Sequence, residues 1–79
     1  MYFTYVLVSK KDGKLYIGYT HDLNQRIKDH NDGAVAVTQN RRPLKLVYYE
    51  ACLSKRKAIL REKYFKIGFG RRFINMRLD

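Results

Sequence analysis

The sequence predicts an α+β domain, a small three-stranded antiparallel sheet flanked by helices in the order β-β-α-β-α-α. Two runs rich in aromatic and β-branched residues, Tyr2 to Val8 and Lys14 to Thr20, are separated by Asp12-Gly13, a strong hairpin signal. A third such run, Leu44 to Ala51, lies between two segments that read as capped helices. Asp22 and Ser54 are the caps, and apolar residues recur every three or four positions behind each. A chain of 79 residues is enough for one modest core, so a single domain is expected over residues 1–79.

A two-residue turn at Asp12 and Gly13 sets Lys11 opposite Lys14, Ser9 opposite Tyr16, Leu7 opposite Gly18 and Tyr5 opposite Thr20. Phe3, Tyr5, Leu7, Tyr16, Gly18 and Thr20 then share one face. Thr4, Val6, Val8, Leu15, Ile17 and Tyr19 share the other, which reads as ordinary core. On the first face the missing side chain of Gly18 leaves a shallow depression between two tyrosines. This register separates Tyr5 from Tyr16 by about four residues, roughly 13 Å, and only an even shift keeps both on that face. The phenols are either a functional pair or amphipathic core residues with their hydroxyls at the rim.

Asp22 opens a helix of about ten residues that ends near Asn31-Asp32-Gly33, with Gly33 suited to a left-handed cap. Leu23 and Ile27 form its buried stripe, and Arg26 and His30 lie four apart along the edge of that stripe. An Asp22–Arg26 surface ion pair is the bland alternative. Residues 33–43 form a loop ending in Asn40-Arg41-Arg42-Pro43, where Arg41 and Arg42 can grip phosphate. The third strand follows, then a helix from Lys55 to about Ile67. Its opening Lys55-Arg56-Lys57 sets cations at the positive end of the helix dipole, an arrangement that a bound anion explains.

Along this helix Leu60, Tyr64 and Ile67 make one apolar ridge, and Ala58 and Phe65 a second. Glu62 is the only acid among the helix's cations and shares the face of Ala58 and Phe65, so it is partly covered. It is either a salt-bridge partner or a metal ligand, because Mg²⁺ in phosphoryl-transfer sites is often held by one or two carboxylates plus phosphate and water. The stretch from Gly68 onward is expected to form a short closing helix after Gly70. Cys52, the sole cysteine, excludes an intramolecular disulfide and a four-cysteine zinc site, and reads as a small core residue at a strand end.

Charge narrows the function. Seventeen Lys and Arg against seven Asp and Glu give a formal +10, a field that attracts polyanions, nucleic acid first. A hydrophobic content of 46% with seven Tyr and four Phe argues for a folded domain rather than a basic tail. No apolar run approaches the ~18 residues that span a bilayer, and no segment has the features of a secretory signal. A soluble cytoplasmic protein with no membrane partner is the expectation.

The order of a strand tyrosine, Tyr16-Ile17-Gly18, a helix with Arg26 then His30, a basic loop, a strand, and a helix with isolated Glu62 resembles the GIY-YIG nuclease domain. The likeness covers nearly the whole chain and is closest to small single-domain bacterial members, through Asn31-Asp32-Gly33, Arg41-Arg42-Pro43 and Leu46-Val47-Tyr48. Phe3-Thr4-Tyr5 stands where Gly-Ile-Tyr would be, so only the tyrosine of the first motif survives. The resemblance implies a metal-dependent endonuclease that hydrolyses phosphodiesters, most simply in DNA, with a place in DNA repair. It implies Tyr5 and Tyr16 as paired phenols, Arg26 as the cation at the scissile phosphate, His30 as an aid to proton transfer, and Glu62 as sole protein ligand of one Mg²⁺ or Mn²⁺. Asn75 is the only counterpart of a further asparagine found near the C-terminus of many members. Nothing in the chain reads base sequence, so substrate shape, broad activity or a protein partner must supply specificity, and the protein is expected as a monomer or weak dimer. A non-catalytic nucleic-acid-binding module and a structural recruiter are the competing readings.

Overall fold

A computed structural model describes residues 1–78 of the chain. Strands β1 (Tyr2–Ser9), β2 (Leu15–Thr20) and β3 (Leu44–Cys52) form one antiparallel sheet in the order β2-β1-β3. Helices α1 (Leu23–Asn31), α2 (Lys55–Phe65) and α3 (Gly68–Leu78) complete the fold, with a 3₁₀ turn at Gln39–Arg41 that has no clear sequence signal. The α+β class and the expected order of elements are what the chain adopts. Two packed layers cover the sheet. On one face Tyr5, Leu7 and Leu44 are buried with Tyr16, Leu46 and the Leu23–Ile27 stripe of α1 against them. On the other, Val6 and Ile17 meet Phe65 of α2 and Ile74 of α3.

The hairpin differs from the expected two-residue turn. Tyr5 pairs with Gly18 and Leu7 with Tyr16, a shift of two residues from the predicted register. Ser9 explains the shift. Its backbone N–H donates to the Lys14 carbonyl and its carbonyl accepts from the Gly13 N–H, which leaves a four-residue loop from Lys10 to Gly13. The Ser9 hydroxyl accepts from the N–H groups of Lys11 and Asp12, while Asp12 accepts from the Lys14 N–H. Gly13 adopts φ +74°, which a side chain would resist. Because the shift is even, both faces keep the membership predicted for them.

Asp22 caps α1 through a 3.1 Å bond from the Gln25 N–H, and no ion pair joins its carboxylate to Arg26 among the described residues. Gly33 follows the helix at φ +82°. Asn31 then acts as a clip: its side chain accepts from the Leu44 N–H at 2.8 Å and donates to the Leu44 carbonyl at 2.9 Å, tying α1 to the start of β3.

Of the two apolar ridges, Ala58 and Phe65 are buried, whereas Leu60 is 50% and Ile67 65% exposed. The Arg61 guanidinium bonds Glu50 of β3 at 2.7 Å and lies over the rings of Phe65 and Phe73. Helix α2 ends at Phe65 rather than near Ile67, and α3 begins at Gly68 rather than after Gly70. Gly70 lies within its first turn and packs backbone to backbone on Tyr64, where a Cβ would fall 1.7 Å from the carbonyl oxygen. Cys52 is half-buried at the end of β3 with its thiol directed at the Ser54 carbonyl.

Candidate active site

Gly18 is the centre of the site. It faces Tyr5 across the hairpin, and the Tyr5 ring lies directly over it: a Cβ at position 18 would stand 2.5 Å from the Tyr5 Oη and 3.2 Å from the Tyr16 ring. The depression expected above the glycine is therefore filled by a phenol. That pairing, two residues from the expected register, brings the two tyrosine rings to 6.4 Å between centroids.

His30 closes the cluster. Its Nε2 lies 2.9 Å from the Tyr5 Oη, and its ring is 5.0 Å from that of Tyr16. Both Tyr5 (1% exposed) and His30 (0%) are sealed from solvent. Burial pushes the His30 imidazolium down, and the nearby Arg26 charge adds to the effect. The ring is therefore neutral, with one N–H to donate. Thr38, also fully buried, faces Nδ1 at 2.7 Å and directs its own hydroxyl towards the Val35 carbonyl at 3.5 Å. Its oxygen is thus left to accept the Nδ1 proton. Nε2 then accepts from the Tyr5 hydroxyl, and the Arg26 charge lies near enough to favour the ionised form of that phenol. Tyr5 is held as the neutral phenol, because burial raises its pKa from 10.0 to about 12 despite the nearby Arg26 charge.

Four of the residues singled out in the sequence, Tyr5, Tyr16, Arg26 and His30, thus meet in one place. Glu62 of α2 is near enough for its charge to bear weakly on Tyr5. Its carboxylate is largely covered and lies 3.7 Å from the Lys66 ammonium one turn on. As a metal site this is a one-carboxylate donor. No group of three or more His, Cys, Asp or Glu residues is arranged to cage an ion among the described residues. A hard oxygen donor of this kind fits Mg²⁺ or Mn²⁺ completed by phosphate and water, and does not fit a protein-only zinc or calcium cage.

The basic residues divide. Lys55 lines a groove of about 570 Å³ together with Arg26, Tyr2, Tyr19 and Thr20. Arg56 and Lys57 are exposed on the same helical turn, behind the Ser54 cap. Arg41 and Arg42 lie elsewhere, at the turn end of the hairpin. The Arg41 carbonyl accepts from Ser9, and its guanidinium turns inward to Asp12 at 3.4 Å without the alignment of a hydrogen bond. Arg42 donates to the Gln39 carbonyl at 2.8 Å and folds back over Gly33.

Sequence reasoning missed Thr38, and no local signal marks it, since a threonine in a polar loop becomes a histidine partner only once the loop packs under α1. It also missed Lys66 and Arg71, which line a cavity of about 260 Å³ with Tyr16 and Asn75. Among the described residues no helix is long and apolar enough to cross a membrane.

Residues 1–75 match the family model described as the GIY-YIG catalytic domain. The chain is 48% identical over 66 residues to the UPF0213 protein YazA of Bacillus subtilis, covering 82% of this chain and 66% of that protein. It is 50% identical over 64 residues to a UPF0213 protein of Clostridium perfringens, covering 78% and 69%. The chain thus spans about two thirds of the length of these curated relatives. Among solved structures, the solution NMR structure of a UPF0213 protein from Bacillus halodurans aligns over 100% of this chain and 86% of its own, with a TM-score of 0.58 and 34% identity. The GIY-YIG domain is a nuclease domain, and nucleases that carry it act on nucleic acid and generally use a divalent metal. The chain belongs to the GIY-YIG catalytic-domain family, among the small bacterial UPF0213 proteins.

Proposed function

We propose that this protein is a metal-dependent endonuclease that hydrolyses phosphodiester bonds in DNA, selecting by structure or only weakly by sequence. The observation that carries the reading is the meeting of two phenols, a guanidinium and a neutral imidazole at Gly18. Tyr5 is a poor base, since it is held neutral and its proton is engaged by His30. Tyr16 is the residue that positions the attacking water, and His30 orients Tyr5 while bracing the Tyr16 ring. Arg26 neutralises charge that builds on the phosphoryl oxygens. A Mg²⁺ or Mn²⁺ ion held by Glu62 would supply Lewis-acid charge at the phosphate. Lys55, which lines the same groove as Arg26, grips the backbone, and Arg56, Lys57, Arg41 and Arg42 add to the positive field that draws the polyanion in.

The test is cleavage of labelled single-stranded, duplex, flap and branched DNA with Mg²⁺, Mn²⁺ or EDTA, comparing wild type with Glu62→Gln. Cutting by wild type that needs metal, and its loss in Glu62→Gln with binding retained, is the expected result. Full activity in Glu62→Gln removes the metal assignment. Salt-sensitive binding without cutting at any metal concentration turns the protein into a binding module.

A further inference from the structure

Two recesses flank the Tyr5–His30 cluster, and each shares one residue with it. The 260 Å³ cavity has Tyr16 in its wall, while the 570 Å³ groove has Arg26. Both lie along the same strand. Leu15, Tyr16 and Ile17 line the cavity, Tyr19 and Thr20 line the groove, and Gly18 falls between. Strand β2 is an edge strand that pairs only with β1, so no further strand covers its outer side. Six extended residues give that side a length of about 20 Å.

Lys55 and Arg26 both line the groove, with Asp22 and Asp29 also in its wall, and the cavity has its own cations. Lys66 and Arg71 line it with the Asn75 amide, over a wall of Leu15 and Ile17. Lys66 faces the Glu62 carboxylate at 3.7 Å, and no acid lies within ion-pair distance of Arg71 among the described residues. Arg41 and Arg42, by contrast, are folded onto Asp12, Gln39 and Gly33 at the far end of the hairpin.

We propose that the Lys66–Arg71–Asn75 cavity is a second phosphate subsite, which holds the nucleic-acid backbone on one side of the scissile phosphate while the Arg26–Lys55 groove holds it on the other. The proposal rests on the nuclease reading above and deepens it, because it lays the substrate strand along the outer edge of β2. Arg71 presents a planar fork that matches two phosphate oxygens, Lys66 adds a point charge, and the Asn75 amide can donate to a third oxygen. A recess of this kind holds a phosphate more firmly than an open surface, since its apolar wall excludes competing water. Each phosphate so neutralised releases counterions, which makes the contact measurable.

The experiment is equilibrium binding of labelled single-stranded and duplex oligonucleotides in EDTA, across a salt series, by protein carrying Glu62→Gln so that no cleavage enters. Adding Arg71→Ala should weaken binding several-fold at about 50 mM salt and lower the log–log salt slope by about 0.7 on single strands or about 0.9 on duplex. Arg71→Lys should restore the slope while leaving affinity short of the parent. Lys45→Ala, which removes the same charge from the opposite edge strand, should leave the slope near the parent value. An unchanged slope and affinity in Arg71→Ala, or an equal loss in Lys45→Ala, overturns the subsite. If the Glu62→Gln parent binds no oligonucleotide at low salt, the nucleic-acid reading itself is overturned.

Discussion

At the scale of single residues, the chain Tyr5–His30–Thr38 decides what each member can do. Three fully buried polar side chains are each satisfied by the next, which removes the cost that an unpaired buried group would carry. Thr38 sets the tautomer: while its oxygen accepts from Nδ1, Nε2 has only a lone pair to offer Tyr5. Thr38→Val keeps the shape and removes the acceptor, so the stranded N–H should cost about 1–3 kcal/mol in urea unfolding. Imidazole ¹⁵N shifts should report loss of the single Nδ1–H form in that variant, and Thr38→Ser should restore it. A valine variant with the wild-type tautomer would show that Thr38 does not govern the ring.

The elements matter through two backbone approaches that only glycine permits. Strands β1 and β2 pair at Gly18 with the Tyr5 ring seated on it, so Gly18→Ala must displace a ring that is also held by His30. The expected destabilisation is about 1–3 kcal/mol, with a larger loss of cleavage because Tyr5 and Tyr16 move apart. Parallel measurements of thermal melting and of cleavage rate check both parts. Helices α2 and α3 meet at Gly70, where the added carbon would clash with the Tyr64 carbonyl rather than with a flexible side chain. Gly70→Ala should therefore lie at the top of that range, about 3 kcal/mol, and should loosen α3 and the cavity it helps to wall. Near-UV circular dichroism and the urea midpoint would show it, and an unchanged midpoint would contradict this account of the junction.

Over the whole molecule, the buried cluster links stability to pH. The folded-state pKa of His30 is lowered, so below its ordinary value of 6.5 the unfolded chain takes up a proton that the folded protein resists. That contribution is complete above pH 6.5 and is lost as the pH falls towards the depressed value. Tyr5 acts in the opposite direction: its pKa is raised from 10.0 to about 12, so stability declines as the pH climbs through that interval. Urea unfolding between pH 5 and 11 should give a plateau with both shoulders. Replacing His30 by Gln should flatten the acid shoulder, and an unaltered acid shoulder would show that other groups produce it.

Much of the fold was legible because it depends on local chemistry. The caps at Asp22 and Ser54, the aromatic and β-branched strands, and the alternation that sorted the two sheet faces all act between near neighbours. The order of Tyr5, Tyr16, Arg26, His30 and Glu62 was enough to signal the family, and four of these residues do meet in one cluster. Tertiary contacts decided the rest. Ser9 drew the turn into a four-residue loop and moved the register by two, because its hydroxyl and backbone satisfy three N–H groups that a tight turn would leave differently placed. Arg61 found Glu50 and the Phe73 ring, which lie outside its own helix, as well as Phe65 one turn on. Thr38 became the partner of His30, and Arg71 a neighbour of Tyr16, only when separate segments packed together. Short-range preferences are written into each stretch of sequence, whereas the partner of a long side chain depends on which distant surfaces the core brings within its reach.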